Sequence, residues 1–74
     1  MRQGGLIKHS FSLAGHRTSV ALEPEFWNAL RAMAGAGGIA LSALVAATDA
    51  ARDPDRPLAS ALRVAALLDA KKIV

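Results

Sequence analysis

Arg17, Ser19 and Ala21 occupy alternate positions in the stretch RTSVALEPEFWNAL, with Thr18, Val20 and Leu22 on the intervening steps. In an extended chain, residues two apart share one side. A guanidinium and a hydroxyl so placed can hydrogen-bond whatever that side meets, which is the chemistry of recognition. Little else in the chain suggests bond-breaking chemistry. There is no cysteine, so a thiol nucleophile, a thiolate zinc site and a disulfide framework are excluded, and the composition suits a reducing compartment. His9 and His16 have no carboxylate at ligand spacing; they read as turn or edge residues, and no metal site is expected. GAGGIA, residues 35 to 40, formally fits a G-x-G-x-x-A dinucleotide fingerprint. Its glycines follow a helical pattern instead of a strand, and the chain is too short to supply the surrounding sheet. With no Walker loop, nucleophile elbow or H-E-x-x-H pattern, the sequence points to a protein without catalysis or cofactor.

The elements that must hold Arg17, Ser19 and Ala21 belong to one small domain of 74 residues. A chain of this size buries a limited core and usually needs a staple or a partner. Without cysteine or a metal site, a second copy is the expected partner, and the 53% apolar composition supplies surface for it. The net charge of +3 is unevenly placed. Residues 1 to 22 carry Arg2, Lys8 and Arg17 with no acidic residue, whereas the remainder balances to zero. Such a basic segment suits a polyanion. The weakly polar run Gly35 to Ala47 is shorter than the roughly 20 residues of a membrane span. MRQGGLIKHSFSL lacks the apolar centre of a signal peptide. The expectation is a soluble, cytoplasmic protein with no membrane partner.

Alternation over Thr18, Val20 and Leu22 predicts a short strand, and Phe11 and Leu13 alternate in the same way before it. Residues 1 to 15 are therefore either a free arm or an extra strand hairpinned across Ala14 and Gly15, although Ala-Gly is not the pair that tight turns favour. Glu23-Pro24-Glu25 starts a helix, with proline where no N–H is needed and carboxylates at the positive end of the dipole. Its apolar stripe is Phe26, Trp27, Leu30, Met33 and Ala34, and the glycines of GAGG end it. A second helix carries Leu41, Leu44, Val45 and Thr48 on one face, with Arg52 near its end. DPDRP, Asp53 to Pro57, breaks it. A third runs from Leu58 to about Lys72, with Leu58, Leu62, Ala65 and Leu68 as its apolar face. The expected class is mostly α with one short β-strand: residues 16 to 52 form the core, and residues 53 to 74 the turn and third helix.

A single strand leaves both edges unpaired. Two copies pairing antiparallel about a two-fold axis remove that problem, with Val20, Leu22, Phe26, Trp27, Leu30, Leu41, Leu44 and Val45 as the shared dimer core. The outer face then shows Arg17, Ser19 and Ala21 twice, and a two-stranded ribbon fits the major groove of B-DNA.

HRTSVALEPEFWNALRAMAG followed by GGIALSALVAATD resembles the ribbon-helix-helix DNA-binding domains, in particular a compact bacterial group whose third helix begins in a motif like LASALRV. The resemblance spans roughly Lys8 to Leu68, and GHRTSVALEPEFW is its most specific part. It implies an intertwined homodimer with an intermolecular antiparallel ribbon, acting as a transcriptional regulator or repressor on double-stranded DNA. It implies that Arg17, Ser19 and Ala21 face the bases. It also implies that Gly38, Ile39, Ala40 and Leu41, at the start of the second helix, hold a phosphate, with Lys8 and His16 adding contacts from the arm. Two positions depart from the pattern. Relatives often have a polar residue where this chain has Ala21, and a Ser or Thr cap where it has Ala40. These departures favour a rival expectation, an antitoxin-like or other protein-interaction dimer that offers Val64, Leu67 and Ile73 of the third helix to a protein partner.

Overall fold

The computed structural model describes residues 5–71. Two antiparallel strands, β1 (Ile7–Leu13) and β2 (His16–Leu22), precede three helices, α1 (Pro24–Ala36), α2 (Leu41–Ala51) and α3 (Leu58–Lys71). The helix limits follow the residues that predicted them. Pro24 opens α1, and the Glu23 carbonyl accepts from the Phe26 and Trp27 amides at 3.0 and 3.2 Å. At the other end Gly38, at φ 70°, takes the left-handed conformation. The Ile39 amide then reaches the Ala34 carbonyl and the Gly38 amide that of Gly35, at 3.0 and 3.1 Å, the paired bonds of a Schellman cap. The chain thereby turns α2 to 99° from α1. Beyond α2, Arg52 holds the DPDRP turn, donating to Asp49 Oδ1 at 2.9 Å and to the Arg56 carbonyl at 2.8 Å.

The expectation of one short strand is corrected. Residues 7–13 form a second strand, in the register Ile7↔Leu22 through Leu13↔His16. β1 thus covers one edge of β2 within the chain. Ala14 and Gly15 make this possible by taking φ of 51° and 83°, the two positive values that a two-residue hairpin loop of the primed type requires. Glycine reaches that region freely and alanine with strain.

The hairpin lays one face on the helices. Leu22, Trp27, Leu30, Val45 and Leu62 are the largest fully buried side chains, joined by Phe11, Leu13, Val20 and Ala66. Of the eight residues expected in a shared dimer core, Val20, Leu22, Trp27, Leu30 and Val45 are buried by their own chain. Phe26, Leu41 and Leu44 are partly buried against the same cluster. Leu68, expected inside, is 57% exposed. The buried face of α3 is Ala61, Leu62 and Ala66, and Leu68 stands about 120° around the helix from Leu62.

Candidate nucleic-acid interface

Strand alternation divides the hairpin into two faces. His9, Phe11, Val20 and Leu22 turn toward the helices. There the His9 ring meets Trp27 edge-on at 4.6 Å and Phe11 lies 5.9 Å from the same indole. Trp27 also donates its Nε1–H to the Ile7 carbonyl at 2.8 Å, and Arg31 of α1 donates to Nε2 of His9 at 3.3 Å. Both bonds fasten β1 to α1.

The opposite face carries Lys8, Ser10 and Ser12 from β1 and Arg17, Ser19 and Ala21 from β2. They form the cross-strand pairs Lys8↔Ala21, Ser10↔Ser19 and Ser12↔Arg17. All are exposed except Ala21, which is half-buried. The hydroxyls of Ser10 and Ser19 lie 3.2 Å apart. Neither Lys8 nor Arg17 has a carboxylate partner: the ion pairs among the described residues are Arg52 with Asp49 and Arg63 with Glu23. No acidic residue lies between Gly5 and Leu22. This face is therefore a small-residue platform with a free cation toward each end, suited to an anionic, hydrogen-bonding surface.

The structure places the other expected site residues less uniformly. His16 pairs with Leu13 beside the loop, one step from Arg17, and so lies on the other face. Gly38 and Ile39 spend their amides on the Schellman cap. The open donors at the start of α2 are instead those of Ala40, Leu41 and Ser42, which have no acceptor among the described residues. Ala40 occupies the N-cap position without a side-chain cap bond. Ser42, exposed one residue into the helix, places a hydroxyl at this end. Ser10 and Ser12 were missed as site residues, although the KHSFS alternation carried the signal; it could not show that residues 7–13 pair with β2.

Elsewhere, Arg63 of α3 donates to Glu23 Oε1 through Nε at 3.0 Å and Nη2 at 2.9 Å, and its guanidinium lies 5.7 Å from the Phe26 ring centre. The Glu23 carboxyl is held below its ordinary value by a backbone N–H bond and by Arg63. Two apolar grooves flank α3. One, of about 370 Å³, lies against α1 between Phe26, Ala29, Val64 and Leu67; the other, of about 470 Å³, lies against the end of α2 between Thr48, Arg52, Val64 and Leu68. Ile73 lies outside the described residues. Among those residues no cluster of His, Asp and Glu could hold a metal ion, and no single helix is long and apolar enough to cross a membrane.

The family described as ribbon-helix-helix domain matches residues 6–70, from the start of the hairpin to the end of α3. No curated protein and no solved structure matches the chain. Members of the matched family are generally DNA-binding regulators that form dimers. With a hairpin ribbon followed by two crossed helices, and with nearly its whole length inside the match, the chain belongs to the ribbon-helix-helix family.

Proposed function

We propose that this protein is a sequence-specific, cytoplasmic transcriptional regulator that binds double-stranded DNA as a homodimer, with the outer face of the hairpin in the major groove. The supporting observation is that face itself: Lys8 and Arg17 lack carboxylate partners, and serines occupy the positions between them. Arg17 is the base reader, since its planar fork matches O6 and N7 of guanine. Ser19 donates or accepts beside it, and Ala21 contacts a thymine methyl. The open amides at the start of α2 receive a phosphate, helped by the helix dipole. Phosphate contacts supply most of the affinity and the ribbon most of the discrimination. The reading is of a binding module and assigns no reaction or cofactor.

The test is a gel-shift titration against the DNA upstream of its own gene. A shift that weakens steeply with salt supports the proposal. Absence of a shift at low salt, for that DNA and for unrelated duplex alike, removes it.

A second reading, a protein-interaction dimer, draws on α3. Val64, Leu67 and Leu68 are exposed between the two apolar grooves, and exposed apolar patches of this kind mark contact surfaces. A stoichiometric protein partner recovered by pull-down, without any DNA shift, selects this reading over the first.

A further inference from the structure

Val64, Leu67, Leu68 and Lys71 fall at i, i+3, i+4 and i+7 of α3, the spacing of one helix face, while Leu62 and Ala66 meet the core from the other side. Leu67 and Leu68 are each 57% exposed and Val64 36%. The groove of about 370 Å³ between α1 and α3 runs beside this face, with almost wholly apolar walls that include Phe26, Ala29, Val64 and Leu67. A ridge and a groove side by side on one surface can each receive the other from a second copy, which is the condition for a two-fold contact.

Charge sets the direction of that contact. Glu25 borders the groove where α1 begins, beside Arg63, whose guanidinium is already bonded to Glu23. Lys71 stands at the other end, eight residues or about 12 Å further along α3. Both are exposed, and neither has an ion-pair partner among the described residues. When two α3 helices pair antiparallel with the axis at Leu67, position 71 of one copy comes opposite position 63 of the other. Lys71 then reaches Glu25 of the second copy, and symmetry forms the pair twice. Parallel packing would set Lys71 against Lys71, which like charge opposes. The groove against α2 sets no such direction, since its rim mixes Arg52, Asp53 and Arg56, and Arg52 is bonded to Asp49.

We propose that two copies dock antiparallel through α3, with Leu67 of each entering the α1–α3 groove of the other and Lys71 pairing with Glu25 of the second copy. This rests on the reading of α3 as a contact surface and names what covers it. The outer face of the hairpin takes no part in the contact. A single helix pair is a small interface, near or below about 1,200 Å², so the association is weak and reversible.

The test is sedimentation equilibrium of the full chain without DNA over a wide concentration range. The mass is expected to double with concentration, starting from whatever unit forms through other contacts. Leu67→Gln is expected to raise the dissociation constant of this step roughly 10- to 100-fold, because two half-exposed leucines leave the contact. Leu68→Gln, equal in exposure but turned to the other groove, leaves it unchanged. Lys71→Glu or Glu25→Lys alone weakens association roughly three- to tenfold, and the two together restore it, which an effect on folding alone would not do. Mass indifferent to Leu67→Gln overturns the proposal. Loss with Leu67→Gln but no rescue in the charge-swapped chain overturns the antiparallel direction. If mass is indifferent yet a protein recovered by pull-down is lost with Leu67→Gln, the occupant is a different protein: the inference falls and the contact-surface reading stands. If neither responds, both fall.

Discussion

Ala14 is the sole non-glycine residue with positive φ among the described residues, in a loop where asparagine is the favoured occupant. An L-residue in the left-handed region is strained by roughly 1–2 kcal/mol, and asparagine tolerates it best. Ala14→Asn should therefore raise stability by about 0.5–1 kcal/mol, or about 4 °C in a domain this small, as read by thermal unfolding. On the outer face, Arg17→Ala should remove about 1–3 kcal/mol of base discrimination. Sequences selected from a random duplex pool would then lose their consensus while keeping most of their affinity. Retention of the wild-type consensus removes Arg17 as reader. Glu23 supplies a pH dependence. Its carboxyl titrates below the ordinary 4.5 when folded because a backbone N–H bond and Arg63 favour the charged form. A depressed acid stabilises the fold above its unfolded value, and that contribution is lost as pH falls through the folded value. Thermal midpoints of the protein and of Glu23→Gln should therefore differ most above pH 4.5 and converge on acidification.

Between elements, the joints are few and specific. Trp27 packs on His9 and Phe11 and also bonds the Ile7 carbonyl at 2.8 Å, so it sets where β1 rests on α1. Trp27→Phe keeps an aromatic ring but leaves that carbonyl without its donor, at an expected loss of about 1–2 kcal/mol. Faster amide exchange confined to residues 7–13 and the β2 amides bonded to them would locate the effect at β1. The Gly38 cap is the corresponding joint between α1 and α2. The same strand that Trp27 anchors bears Lys8, Ser10 and Ser12 on its other side, so its anchoring and the recognition surface are coupled.

In the assembled molecule, the closed core separates folding from association. An intertwined dimer shares its core, and its stability then depends on protomer concentration. Here Leu22 and Val20 are 0% and 3% exposed in one chain, so the subunit should stay folded when diluted to a monomer. Near-ultraviolet circular dichroism of Trp27, followed beside molar mass through a dilution series, tests this. Loss of the tryptophan signal together with the dimer would show that the core is shared between copies.

Pro24, the glycines after Gly35 and Asp53 to Pro57 fixed the helix limits within a residue or two, because each acts through local backbone geometry that a sequence displays directly. The faces of β2 were equally readable, since period-two alternation sorts Arg17, Ser19 and Ala21 from Val20 and Leu22 without reference to any neighbour. Alternation does not name the neighbour, however. The pairing of residues 7–13 with β2 turned on Ala14 and Gly15 accepting positive φ and on Trp27 and Leu62 covering the inner face, contacts between residues far apart in the chain. The donors at the start of α2 were displaced from Gly38 and Ile39 for a similar reason: their amides were already committed to carbonyls of the preceding helix. Local propensity and periodicity belong to the sequence, whereas the partner of each backbone group is known only once the chain has folded on itself.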